Sequence, residues 1–183
     1  MKILATTLLT AGLMLFAIPQ VEAGGVTVKK AHVCCGACVT AVKKALGDVE
    51  GVSKATADQN SKTISFEAAD DAAAKRGIEA LAKAGFHGTA THGDKALEYP
   101  KAKAKQGEKA DSITFTGVHL CCGACVKGAK ESLDGVKNVK VIDVDAKTKT
   151  VTLTGEGIDL LEAITAFNDG GFHGNLKGAD EKE

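Results

Sequence analysis

Short stretches of alternating apolar and polar residues, each followed by apolar residues at helical spacing, occur twice along the chain. Val26 and Val28 alternate with polar residues, as in a half-buried strand, and Ile113 and Phe115 repeat the pattern. Apolar positions at helical spacing then follow: Val39, Val42, Leu46 and Val49 in the first half, and Val126, Ala129, Leu133 and Val136 in the second. Each half is therefore predicted to open with a strand and an amphipathic helix.

The rest of each half predicts two strands, a helix and a final strand. The two strands are expected at 52–57 and 62–66 in the first half, and at 139–144 and 148–153 in the second. The inward residues of the second helix and the start of the last strand are Ile78, Leu81 and Phe86, repeated as Ile164, Phe167 and Phe172. This order predicts an α+β fold of two tandem ferredoxin-like βαββαβ domains, each with two helices on one face of an antiparallel sheet.

An internal repeat places the domain boundaries. The segment HVCCGACV at 32–39 recurs at 119–126 with a single change, and GFHG at 85–88 recurs at 171–174. The predicted organisation is domain 1 at 24–93, a solvated Lys- and Ala-rich linker at 94–110, domain 2 at 111–177, and a polar tail at 178–183.

The first 23 residues have the pattern of a secretory signal peptide. Lys2 precedes an apolar run from Ile3 to Ile18, and a Val-x-Ala sequence ends at Ala23. The alternative is an uncleaved membrane anchor, but the run is shorter than the roughly 20 residues that a spanning helix needs. We therefore expect cleavage after Ala23, a periplasmic or secreted location, and no stable membrane insertion of the mature chain.

Composition narrows the classes of partner. The chain has 23 Lys and Arg against 23 Asp and Glu, so its formal net charge is zero. A neutral chain lacks the basic surface that nucleic acid binding requires. It also contains no Trp. We expect no nucleic acid partner.

The six cysteines fall into two clusters, Cys34, Cys35, Cys38 and Cys121, Cys122, Cys125. A disulfide inside either cluster would close almost no loop and would add little stability. Each cluster also contains an odd number of thiols. This clustering favours metal ligation or redox chemistry over a structural disulfide framework.

The spacing Cys-x-x-Cys places one cysteine in the loop after a strand and the other in the first turn of a helix, at Cys35 and Cys38 and again at Cys122 and Cys125. The free N–H groups of a helix N-terminus stabilise thiolate. Thiolates are soft ligands that favour Cu(I), Zn(II) and heavier soft ions.

At these residues the sequence resembles the heavy-metal-associated domain. The resemblance implies that Cys35 with Cys38, and Cys122 with Cys125, bind a soft metal ion and pass it to a metal transporter or another metal-binding domain. Cu(I) and Zn(II) are the expected ions, with Hg(II) or Cd(II) as alternatives. The preceding cysteines, Cys34 and Cys121, depart from the family pattern, and as extra ligands they would give a three-coordinate site suited to Zn(II), Cd(II) or a tighter Cu(I) site.

Four histidines are additional candidates as ligands or as supporting groups. His32 and His119 precede the cysteine clusters, and His87 and His173 lie in the loop before the last strand. The predicted topology brings that loop to the same end of each domain as the cysteines.

Three functional readings remain open. The first is a secreted, non-enzymatic soft-metal carrier or scavenger, and the second is a thiol–disulfide redox protein that uses the Cys-x-x-Cys pairs. The third is an interaction protein whose cysteines are structural or vestigial. If the linker allows the two cysteine ends to meet, one ion could be held between the domains, or the two sites could exchange ions at high effective concentration.

Overall fold

The computed structural model describes residues 24–177. The predicted signal peptide at 1–23 and the predicted polar tail at 178–183 lie outside the described residues. Within 24–177, no helix has the length and apolar character needed to cross a bilayer.

Each half has the predicted order of elements, and the first half has one additional strand. The first half consists of β1 (Gly24–Lys29), α1 (Gly36–Gly47), β2 (Val52–Asp58), β3 (Thr63–Ala68), α2 (Asp71–Lys83), β4 (Thr89–His92) and β5 (Lys95–Leu97). The second half consists of β6 (Lys109–Thr116), α3 (Gly123–Leu133), β7 (Val139–Asp145), β8 (Thr150–Asp159), α4 (Leu160–Asp169) and β9 (Asn175–Leu176).

The two halves form separate antiparallel sheets of matching topology. The strand orders are β2-β3-β1-β4-β5 and β7-β8-β6-β9. Both helices of each half contribute to its core, as Leu46 of α1 and Leu81 of α2 are fully buried with Phe66 of β3 in the first half. The predicted α+β class with two ferredoxin-like units is confirmed.

The helices that follow the cysteine loops begin differently from the other two. Asp70 caps α2 by accepting a hydrogen bond from the Ala73 N–H at 2.6 Å, and Asp159 caps α4 from the Glu162 N–H at 3.0 Å. The N-cap residues of α1 and α3 are Cys35 and Cys122, and neither side chain makes a capping hydrogen bond. The N-termini of α1 and α3 thus lie at the cysteines without a side-chain cap.

Two sequence expectations differ from the structure. The last strands begin at Thr89 and Asn175, and Phe86 and Phe172 instead pair with each other in an isolated antiparallel bridge between the halves. The segment 94–110, expected to be a solvated linker, contains β5, which pairs with β4, and the start of β6. The short strand β5 follows the turn at Asp94, and the Lys- and Ala-rich composition of the segment gave no signal for it.

Candidate metal centre

The two halves dock through the loops that precede β4 and β9. The Gly171 carbonyl accepts hydrogen bonds from the N–H of His32 at 3.2 Å and of His87 at 3.1 Å, and the Gly85 carbonyl accepts from the N–H of His173 at 3.0 Å. Backbone groups that would otherwise need water are therefore paired across the interface.

Aromatic rings also stack across the interface between the two halves. The His32 ring stacks on Phe172 of the second half with ring centres 4.2 Å apart, and Phe86 stacks on His119 at 4.4 Å. Each cysteine-bearing loop thus contacts the GFHG segment of the other half. The two repeated segments, the cysteine-bearing loop and GFHG, therefore form the two sides of one pseudosymmetric interface.

Two glycines permit this close approach. Gly85 and Gly171 have φ values of +86° and +83°, a conformation that side chains disfavour. A Cβ atom at Gly85 would lie closer than 3.0 Å to the backbone N of His119, and one at Gly171 would do the same at His32. The interface requires glycine at both positions.

The docking brings all six cysteines into one cluster. All six are free thiols in the structure, and Cys38 and Cys125 are fully buried. The Sγ–Sγ distances are Cys34–Cys38 3.6 Å, Cys34–Cys122 3.6 Å, Cys34–Cys125 3.5 Å, Cys35–Cys38 3.7 Å, Cys35–Cys121 3.5 Å, Cys38–Cys121 3.6 Å, Cys121–Cys125 3.6 Å and Cys122–Cys125 3.7 Å.

These contacts close two triangles of sulfur atoms, each built from both halves. The first triangle joins Cys122 and Cys125 to Cys34, with edges of 3.5–3.7 Å. The second triangle joins Cys35 and Cys38 to Cys121, with the same range of edges. The Cys-x-x-Cys pair of each half therefore receives its third sulfur from the extra cysteine of the other half.

The triangles have the dimensions of a three-thiolate site. The centre of a triangle with 3.6 Å edges lies about 2.1 Å from each sulfur, close to the metal–thiolate distance of about 2.3 Å known for zinc. A linear two-coordinate ion at that distance would need sulfurs about 4.6 Å apart. The sulfur positions fit three-coordinate ions better than linear ones.

The surroundings divide the thiols into those that favour and those that resist ionisation. The sulfurs of Cys38 and Cys125 lie within 4.8 Å of each other, and the Cys125 thiol favours a Cys38 thiolate, which lowers the pKa of Cys38 and raises that of Cys125. The nearby backbone N–H groups of Cys125, first, and of Ala124 favour the Cys122 thiolate and lower the pKa of Cys122 to about 7. Partial desolvation beside the other thiols raises the pKa of Cys34 to about 12 and also raises that of Cys121, although Cys121 is exposed.

Two of the four candidate histidines lie at this cluster. A ring nitrogen of His119 and the sulfurs of Cys38, Cys121 and Cys125 all lie within 4.8 Å of one another, and His32 forms a similar group with Cys34 and Cys125. The Nε2 atoms of both histidines are buried without a hydrogen-bond partner. Burial also lowers the pKa of His32, which favours the neutral, ligand-competent imidazole.

The other two histidines, His87 and His173, form a separate buried group. Their rings lie nearly parallel, 2° apart in orientation with centres 5.9 Å apart, and Tyr99 packs on His87 at 4.2 Å. Burial lowers the pKa of His173 to about 4 and lowers that of His87. Sequence reasoning missed Tyr99, although it is the sole tyrosine of the chain and lies in an otherwise Lys- and Ala-rich segment.

A comparison with models of protein families gives a match in the first half of the chain. The sequence model of the heavy-metal-associated (HMA) domain matches residues 27–87. This region runs from β1 to the loop before β4 and includes Cys34, Cys35 and Cys38. The resemblance noted in the sequence is thus confirmed for the first half of the chain. For the second half it rests on the internal repeat.

Solved structures and curated proteins were compared as well. The apo form of the HMA domain of the copper chaperone for superoxide dismutase is 20% identical, with a TM-score of 0.34, over 48% of this chain and 88% of that one. The water-soluble region of the P-type ATPase CopA from Bacillus subtilis is 22% identical, with a TM-score of 0.31, over 89% of this chain and 97% of that one. No curated protein matches the chain.

Proposed function

We propose that this chain is a periplasmic or secreted protein that binds soft metal ions at a thiolate centre built by both halves, and that it acts as a carrier or scavenger rather than as an enzyme. The observation that carries the proposal is the convergence of six free thiols, with Sγ–Sγ distances of 3.5–3.7 Å, at the N-termini of α1 and α3. The match of residues 27–87 to the heavy-metal-associated domain supports it. Metal transporters or other metal-binding domains are the proposed recipients.

The ligand types favour a soft ion, and two coordination modes compete. Three thiolates at the corners of a triangle suit Cu(I), which prefers soft ligands. The group of Cys38, Cys121, Cys125 and His119 offers three sulfurs and one imidazole, a ligand set typical of Zn(II). Hg(II) and Cd(II) are also soft ions that such thiolates would bind.

Competitive titration tests the proposal. The reduced chain is titrated anaerobically with Cu(I) and with Zn(II) against chelators of known affinity. We expect binding far tighter than micromolar, and its loss when Cys35, Cys38, Cys122 and Cys125 are replaced by Ser. Binding no tighter than micromolar for every soft ion would refute a metal-binding role.

A pair of histidine variants separates the two coordination modes. His119→Gln removes a nitrogen next to three sulfurs. His92→Gln is the matched control, because His92 pairs with Asp71 at 2.8 Å instead. A site with three sulfurs and one imidazole loses Zn(II) affinity in the first variant alone, whereas a three-thiolate Cu(I) site keeps its affinity in both.

The alternative function, thiol–disulfide exchange, would use the same thiols as a redox pair. Cys35 and Cys38 have Sγ atoms 3.7 Å apart at a helix N-terminus, a geometry that oxidoreductases also use. Each of these sulfurs, however, also contacts Cys121 of the other half, at 3.5 and 3.6 Å. Reduction of a model disulfide by the metal-free chain faster than by a simple thiol would favour the redox reading.

A further inference from the structure

The six sulfur atoms are joined into one continuous network of contacts. Beyond the edges within the two triangles, Cys34–Cys38 and Cys121–Cys125 connect one triangle to the other at 3.6 Å. The sulfurs of Cys34, Cys35 and Cys122 all lie within 4.8 Å of one another, as do those of Cys38, Cys121 and Cys125. Every sulfur therefore borders more than one triangular face.

A sulfur that borders two faces is placed to bridge two ions. Thiolate sulfur has more than one lone pair, so a bridging thiolate is ordinary chemistry for soft ions. Four three-coordinate ions need twelve metal–sulfur bonds, and six thiolates that each bridge two ions supply twelve. In one set of four faces each sulfur occurs twice. Three of these faces are closed by the S–S distances: Cys34/Cys122/Cys125, Cys34/Cys35/Cys38 and Cys38/Cys121/Cys125. The fourth joins Cys35 to Cys121 at 3.5 Å and to Cys122 within 4.8 Å.

We propose that the two halves together hold one polynuclear cluster of four Cu(I) ions bridged by six thiolates, instead of two separate one-ion sites. This proposal rests on the proposed soft-metal function and specifies how that function is carried out. As the cluster forms, four Cu(I) ions replace six thiol protons, and no oxidation or reduction occurs. The cluster then carries two negative charges.

The fold supplies compensation for that charge. The N-caps of α1 and α3 are themselves cysteines of the cluster and make no side-chain capping bond, so the positive dipole ends of both helices lie beside the sulfurs. Four divalent ions on the same six thiolates would instead leave two positive charges at these helix ends, which selects monovalent ions for the full cluster.

Native mass spectrometry and X-ray absorption test the proposal on the reduced chain, loaded anaerobically with Cu(I). We expect a cooperative change from the metal-free monomer to a monomer with four ions. We also expect copper bound to three sulfurs with a copper neighbour about 2.4 Å away, the separation of the centres of two faces that share one sulfur when the S–S edges are 3.6 Å. Two independently bound ions with no copper neighbour would overturn the cluster and leave the soft-metal function intact. Absence of tight binding would refute both.

Two sets of variants probe the bridging and the docking. Replacing Cys34 and Cys121 together by Ser leaves the two Cys-x-x-Cys pairs, and we expect at most two ions and no copper–copper signal. Gly171→Ala should give the same result by separating the halves while keeping every sulfur. Gly107→Ala is its control, since Gly107 also has a positive φ, +76°, but open space at its Cβ position. Four bridged ions in the Gly171→Ala protein would show that the cluster does not need this docking.

Discussion

The docking of the two halves can be tested by a single methyl group. Gly171 has a φ of +83°, and its carbonyl accepts hydrogen bonds from His32 and His87. In Gly171→Ala the new Cβ would approach the backbone of Lys30 and His32 to less than 3.0 Å. Backbone atoms cannot be moved aside by a change of rotamer, so the loop carrying His32 has to separate from the second half.

The expected cost has two parts. An alanine at positive φ costs about 1–2 kcal/mol. Loss of the two hydrogen bonds to the Gly171 carbonyl adds about 1 kcal/mol each. The free energy of unfolding should therefore fall by about 3–4 kcal/mol. The control Gly107→Ala has a similar φ, +76°, with nothing within 4 Å of the added Cβ, so only the first part applies to it.

Urea denaturation of the reduced, metal-free variants measures this difference. We expect Gly171→Ala to lose about 2 kcal/mol more than Gly107→Ala. Near-ultraviolet or NMR signals of His32 and Phe172, which stack at 4.2 Å, should change in Gly171→Ala alone. Equal losses in the two variants, with the stacking signals unchanged, would refute the docking.

Three further predictions concern groups outside the sulfur cluster. His173, which faces His87 and Tyr99, has its pKa lowered to about 4 by burial, so the unfolded chain takes up its proton first as pH falls below 6.5. The contribution of neutral His173 to the free energy of unfolding is complete above pH 6.5 and declines by about 3 kcal/mol towards pH 4. Urea denaturation across this range should show a shallower decline in His173→Gln than in the unmodified chain. An identical decline in both would contradict the assignment. Asp70→Ala should lower the melting temperature through loss of a cap worth about 1 kcal/mol, without changing metal stoichiometry, and a changed stoichiometry would mean that α2 takes part in the site. Tyr99→Phe should leave stability unchanged or raise it by about 1 kcal/mol, because the buried Tyr99 hydroxyl has no hydrogen-bond partner, and a clear loss in thermal unfolding would show that the hydroxyl is needed.

Much of the fold could be predicted because its signals are local. Alternation at Val26 and Val28 and helical spacing through Val42 and Leu46 each depend on a few neighbouring residues, and all four are buried as these patterns require. The last strands were less predictable. Phe86 continues an apolar pattern, but it follows Gly85 at positive φ, so its backbone turns towards the other half instead of entering the sheet.

The position of Tyr99 could not be predicted for a different reason. Its neighbours are Lys- and Ala-rich, which is typical of a solvated tether, and composition alone gave no reason to place it inside. The β4–β5 hairpin brings this segment back against the halves, where Tyr99 packs on His87. A single aromatic residue in a polar segment was the only available signal.

The sequence by itself determined that three cysteines lie at the start of a helix in each half, and that their chemistry suits soft ions. These conclusions need only local spacing and the properties of thiols. Only the tertiary structure decided which sulfurs are neighbours. Cys34 lies beside its own Cys38 at 3.6 Å but completes a triangle with Cys122 and Cys125, because the loops dock at Gly85 and Gly171 and thereby bring together residues that are far apart in the chain. No local pattern records such a contact, since it depends on the shapes of two folded surfaces.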